Sequence, residues 1–210
     1  MTHSDMIARV CAAAPVIPVL TIDRVEDAQP LARALVAGGL PALEITLRTD
    51  AALEAIAAIA EVEGAMAGVG TLLTPAQVRD AKAAGAIFGV SPGTTPSLIA
   101  AILEFDLPLL PGAATATEAM RLLEQGFIFQ KFFPAEAAGG APALGSMAGP
   151  LPQITFCPTG GVTPENAKTY LALPNTLCVG GSWIAPKALV AAGAWGEITQ
   201  IARRAADLIR

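Results

Sequence analysis

Short apolar runs alternate with longer amphipathic stretches along the whole chain, and that alternation restricts the fold more than any single motif. The runs occupy residues 16–21, 42–47, 66–69, 87–90, 108–110, 127–132, 154–157 and 176–179. Each has strand length, and their starts fall roughly 20–26 residues apart, the span of one βα unit. Helical signals fill the gaps. Residues 25–37 place Val25, Ala28, Leu31, Ala32, Leu35 and Val36 on one stripe and then meet Gly38-Gly39, a C-cap signal. Thr49 or Asp50 opens a helix over 50–62, and Thr115 or Thr117 opens another that Gly126 closes. Thr74-Pro75, Thr95-Pro96 and Thr163-Pro164 each set a capping threonine before a proline suited to the first helical turn. Eight strands alternating with helices in 210 residues predict an α/β fold: a single-domain (β/α)8 TIM barrel over residues 1–210, with a short N-terminal helix. The competing arrangement, an open doubly wound sheet, generally carries a Gly-rich first turn, whereas Asp23-Arg24 follows the first strand here. No linker, charge run or low-complexity segment marks a second domain.

Composition narrows the function. Apolar residues are 53% of the chain and charged ones 15%, so it folds as a globule and not a disordered segment. Net charge is −5 with no basic cluster, which argues against nucleic acid or an anionic membrane as partner. Cys11, Cys157 and Cys178 are far apart in sequence, and His3 is the only histidine, so neither a zinc site nor Ser-His-Asp chemistry is expected. The N-terminus lacks the apolar core of a signal peptide, and no apolar run of about 18 residues escapes Gly, Pro or charge. The expectation is a cytoplasmic protein that uses no metal and no cofactor.

In a barrel, chemistry belongs to the C-terminal strand ends and the loops that follow them. In LEITLR, residues 43–48, period two sets Glu44, Thr46 and Arg48 on one face and Leu43, Ile45 and Leu47 on the other. If the apolar set packs on helices, the polar set points inward. Glu44 then lies deep, with Arg48 about 13 Å further along, at the mouth. An edge strand with a solvated face would show the same alternation, but parallel strands are normally covered on both sides. In IFQKFFP, residues 128–134, neither parity is polar overall, and Lys131 has no evident solvent face. The plain reading is a lysine snorkelling from a strand end. The sharper one is an amine desolvated by aromatic neighbours. Desolvation disfavours the ammonium and favours the neutral form that attacks a carbonyl to give a Schiff base. Such an amine needs a proton shuttle, and Glu44 is the one deep carboxylate already placed.

Two glycine pairs follow the last two strands: Thr159-Gly160-Gly161 and Gly180-Gly181-Ser182. Loops at those positions form the usual phosphate site of this barrel, where backbone N–H groups approach an anion. Gly70-Thr71 and Ser91-Pro92-Gly93 fall at the same mouth; Thr71 either donates to an anionic substrate oxygen or caps a helix.

Six motifs taken together are identified with a known family. LEITLRT (43–49), GVGT (68–71), SPG (91–93), KFFPAE (131–136), FCPTGG (156–161) and CVGGSW (178–183) resemble the 2-dehydro-3-deoxy-6-phosphogluconate (KDPG) aldolases, class I lyases of the Entner–Doudoroff pathway. The resemblance spans nearly the whole chain in order. It implies a homotrimeric barrel that cleaves a phosphorylated 2-keto acid, KDPG, to pyruvate and glyceraldehyde 3-phosphate without a cofactor. It implies Lys131 as the Schiff-base lysine and Glu44 as the general acid/base. Arg48 and Thr71 would hold the pyruvate carboxylate, Pro92 and Phe133 would line the pocket, and Thr159 would meet a substrate hydroxyl. Gly160, Gly161, Gly180, Gly181 and Ser182 would take the phosphate. Cleavage of 4-hydroxy-2-oxoglutarate to pyruvate and glyoxylate is implied as a side reaction. Some relatives carry an arginine after the first strand's apolar run, whereas Pro18-Val19-Leu20-Thr21 has none, which makes the chain less like the phosphogalactonate branch. Two other classes remain to be separated by experiment: a phosphate-binding barrel isomerase, which needs no buried lysine, and a non-catalytic phospho-sugar sensor.

Overall fold

The computed structural model describes residues 2–208. Helix α1 (His3–Ala12) leads into β1 (Val16–Leu20), α2 (Val25–Ala37), β2 (Ala42–Thr46), α3 (Ala52–Ala60), β3 (Met66–Gly70) and α4 (Pro75–Ala83). Next come β4 (Phe88–Val90), α5 (Pro96–Glu104), β5 (Leu109–Leu110), β6 (Gly112–Ala113), α6 (Ala116–Leu123) and β7 (Phe129–Phe132). The chain closes with α7 (Gly140–Ser146), β8 (Thr155–Pro158), α8 (Ala167–Leu171), β9 (Val179–Gly181), α9 (Lys187–Ala191) and α10 (Trp195–Ala206).

Side-chain caps set several helix starts. Thr74 and Thr115 each accept from the amide three residues on, while Gln77 and Glu118 bond back to the cap, giving two capping boxes. Thr95 accepts from the Leu98 amide ahead of Pro96. Two expected starts shift. The Thr49 hydroxyl donates instead to the Ile22 carbonyl at 2.6 Å, tying the end of β2 to β1, so α3 begins at Ala52 without a side-chain cap. Thr163 holds a turn with Asn166, and α8 forms only from Ala167.

All ladders are parallel. β5, β4, β3, β2, β1 and β9 pair in that order in one six-stranded sheet, and β6, β7 and β8 form a three-stranded one. Neighbours in sequence are neighbours in space, and the last strand pairs with the first, Val16 opposite Val179. A doubly wound sheet would instead reverse its order about a central strand. The sheets abut at both edges. Only Pro111, which has no N–H to donate, separates β5 from β6. Isolated parallel bridges pair Phe156 with Thr176 and Thr159 with Gly180 across the other edge. Where eight continuous strands were expected, nine short ones occur among the described residues. The fifth run, 108–110, gives β5; an extra short strand, β6, follows it beyond Pro111, and the last strand lies at Val179–Gly181 instead of 176–179.

Two apolar clusters follow from strand parity. Leu43 and Ile45 face the helices in the larger one. Ala42, Met66, Phe88 and Leu110 face the other way and pack with Ile7 and Val10 of α1, which closes the N-terminal end of the strands.

Candidate active site

Glu44 shares the parity of Ala42 and therefore the inner face; its residue exposure is 3%. In register it stands opposite Val19 on β1 and Gly68 on β3. Two residues further along β3, Gly70 has no side chain, and the Glu44 carboxylate fills the space where one would lie. Lys131 alternates with Gln130 and Phe132. Gln130 turns outward, its amide donating to the Ala119 carbonyl of α6 at 3.0 Å, and Phe132 stacks edge-on with Phe156 at 6.3 Å between ring centroids. The ammonium-bearing chain is thereby sent inward at 6% exposure.

Lys131 Nζ lies 3.2 Å from Glu44 Oε1 and 3.4 Å from Oε2. Residues 87 apart in sequence thus meet in an enclosed pair, walled by the Phe133 ring, whose centroid is 5.4 Å from Nζ. A buried ion pair of this kind is weak evidence of stability, since desolvation offsets most of its attraction. Its value is chemical: a nucleophile and a proton acceptor within hydrogen-bond reach.

The remaining expected residues fall around this pair at the C-terminal strand ends. Phe133 also contacts the loop after β8, since a Cβ on Gly160 would lie 3.1 Å from its ring. Thr159 is buried, its hydroxyl donating to the Cys157 carbonyl at 3.4 Å, and the bare α-carbon of Gly180 makes room for it. Gly181 is covered by the Trp183 ring and Ser182 is exposed beyond it. Ser91 is fully buried and accepts from the Gly112 amide at 3.3 Å; this draws Pro92 against Gly112, the residue opposite Lys131 in the β6–β7 ladder. Arg48 is exposed past the end of β2, with no ion pair among the described residues, and Thr71 is half-buried after β3.

The roles of three residues were not evident from the sequence. Thr46, fully buried, donates to the Leu20 carbonyl at 2.8 Å and lies 3.1 Å from the Thr21 hydroxyl, locking β1 to β2 beside Glu44. Gly70 is legible only once the register is known. Glu136, inside the quoted KFFPAE, bonds to the Tyr170 hydroxyl across the β8 loop. Among the described residues no group of three or more His, Cys, Asp or Glu side chains is placed to hold a metal, and no helix is long and apolar enough to cross a membrane.

The chain is similar to proteins of known family. Residues 7–201 match the model of the family described as KDPG and KHG aldolase. A 2-dehydro-3-deoxy-phosphogluconate aldolase of Pseudoalteromonas atlantica is 50% identical over 192 residues, 91% of this chain and 89% of the relative. The 2-keto-3-deoxy-6-phosphogluconate aldolase of Zymomonas mobilis ZM4, solved with 3-phosphoglycerate, is 48% identical; it superposes with a TM-score of 0.92, covering 99% of this chain and 98% of that one. A KDPG aldolase from Legionella pneumophila, solved with pyruvate captured as a covalent carbinolamine, is 46% identical with a TM-score of 0.91, covering 94% and 97%.

Proposed function

This chain belongs to the KDPG and KHG aldolase family, and from that premise we propose how its residues perform the reaction. The protein is a carbon–carbon lyase that cleaves KDPG to pyruvate and glyceraldehyde 3-phosphate through a Schiff base. The observation that carries the residue assignment is the enclosed contact of Lys131 Nζ with Glu44 at 3.2 Å.

Lys131, as the free amine, attacks the C2 ketone. Glu44, holding the proton that Lys131 gave up to become the free amine, delivers it to the ketone oxygen; it then takes the proton leaving nitrogen and returns that one to the carbinolamine hydroxyl, which departs as water and leaves an iminium. The C4 hydroxyl proton then passes to Glu44 as the C3–C4 bond breaks. Its electron pair moves into the iminium, giving an enamine and releasing the aldehyde. Protonation at C3 regenerates an iminium, and water frees pyruvate and the amine. Arg48 and Thr71 hold the substrate carboxylate, Pro92 and Phe133 shape the pocket, and Thr159 meets a substrate hydroxyl. The backbone around Gly160, Gly161, Gly180, Gly181 and Ser182 receives the phosphate. The 3-phosphoglycerate in the Zymomonas enzyme supports a phosphorylated acid as ligand.

The two sheets constitute one single-domain eight-stranded barrel, with β5 and β6 as halves of the fifth strand; the β8–β9 bridges and the β9–β1 ladder support closure. The active form is a homotrimer in the cytoplasm, which light scattering of the purified chain and fractionation of cells test. A side activity on 4-hydroxy-2-oxoglutarate fits the family description. The stretch Pro18-Val19-Leu20-Thr21 carries no arginine, which argues against preference for the galacto epimer.

Borohydride added with pyruvate should fix a stable mass on the peptide containing Lys131, and Lys131→Ala should abolish both labelling and turnover. Label on Lys82, Lys168 or Lys187 would sink the assignment. Complete absence of an imine would favour an isomerase or a phospho-sugar sensor.

A further inference from the structure

The loop that follows β8 is held from below by contacts that the reaction itself does not use. Its carbonyls are tied in succession: Thr159 O accepts from the Ala135 amide at 2.8 Å, Gly160 O from the Glu136 amide at 3.0 Å, and Gly161 O from Asn166 Nδ2 at 3.1 Å. The amides of Gly160 and Gly161 make no hydrogen bond among the described residues, so the loop keeps its donors free. Both glycines have positive φ, +98° and +78°, a backbone state that glycine adopts without strain.

The Glu136 side chain crosses this loop. A Cβ on Gly161 would lie 2.6 Å from its Cγ and 2.7 Å from its Cβ, so only glycine lets it pass. Its carboxylate then accepts the hydroxyl hydrogen of Tyr170, a fully buried residue of α8. Burial, and after it the bond to Glu136, pushes the Tyr170 hydroxyl well above its ordinary value, so it remains a donor wherever the enzyme works. A carboxylate has the wrong charge to be a ligand for phosphate. Anchoring it to a buried phenol on the far side of Gly161 removes one acceptor from the anion's reach and pins the loop between β7 and α8.

We propose that the Glu136–Tyr170 hydrogen bond is a positioning device that fixes the Gly160–Gly161 backbone for the substrate phosphate and so sets the preference for phosphorylated 2-keto acids. This rests on reading that loop as the phosphate site. The test is Tyr170→Phe, which keeps the buried ring and deletes one hydroxyl. KM for KDPG should rise about tenfold, the loss typical of one hydrogen bond to a charged group. The rate of borohydride trapping with pyruvate, which has no phosphate, should stay at the wild-type level. Glu136→Gln, whose amide oxygen still accepts from the phenol, should keep the wild-type KM. An unchanged KM in Tyr170→Phe, or an equal fall in KDPG turnover and pyruvate trapping, overturns the proposal. A wild-type protein that neither traps pyruvate nor cleaves KDPG would overturn the functional reading instead, whatever the variants do.

Discussion

Glu44 and Lys131 meet because two conditions around Glu44 are satisfied. Leu43 and Ile45 take the helix-facing side of β2 and leave Glu44 the inner one, and Gly70 on the adjacent strand has no Cβ to block the carboxylate. The second condition makes a separable expectation. Gly70→Ala keeps both reacting groups, but its methyl overlaps Oε1 and pushes the carboxylate off Nζ. Glu44→Gln leaves the position filled and removes the proton acceptor, which for a general acid/base lowers the rate by about 10²–10⁴-fold. Gly70→Ala should fall in kcat by a comparable factor, because displacement by about 1 Å from a productive geometry costs about a hundredfold. Single-turnover imine formation with pyruvate reads both variants directly. Wild-type rates in Gly70→Ala would show that the carboxylate has another position from which to serve Lys131.

At the scale of elements, α6 prepares the strand that carries Lys131. The Glu118 carboxylate accepts from the amides of Ala114 and Thr115, both at 2.9 Å, and from the Thr115 hydroxyl at 3.0 Å. The Ala114 bond is foremost in holding this carboxyl below its ordinary value of 4.5. A carboxyl depressed in the folded state adds stability that is complete above its unfolded value and is lost as pH falls through its folded one. Thermal midpoints measured from about pH 6 down to about pH 3 should therefore drop less steeply in Glu118→Gln than in the wild type. Parallel curves would mean that the cap contributes no charge effect. Caps such as Thr74, Thr95 and Thr115 are legible in the sequence because donor and acceptor are three residues apart. Thr49 is not, since its hydroxyl finds the Ile22 carbonyl on a neighbouring strand. The same division runs through the site. Glu44 stands out by local parity, and Lys131 as a lone charge among apolar neighbours. Gly70 and Tyr170 acquire their roles only from register and from contacts across loops, which no short window contains.

Across the whole molecule, stability and chemistry occupy opposite ends of the strands. α1 closes the N-terminal end, setting Ile7 and Val10 against the inner-face cluster that includes Phe88 and Met66. Phe88 lies across Gly68, the residue in register with Glu44, so this cluster forms a dry floor beneath the reacting pair. Lys131 Nζ bonds to both Glu44 carboxylate oxygens, whereas Ile7 and Val10 of α1 lie in the apolar cluster. Ile7, 2% exposed, therefore offers a change that weakens the fold without entering the reaction. Truncation to alanine removes buried methyl groups and leaves a cavity, a loss of about 2–5 kcal/mol. Urea unfolding of Ile7→Ala should show that loss as a lower midpoint, while borohydride trapping of pyruvate below the transition proceeds at the wild-type rate. A trapping rate that fell with stability would mean that the floor is also part of the catalytic geometry, and that the two ends of the strands are coupled through Phe88.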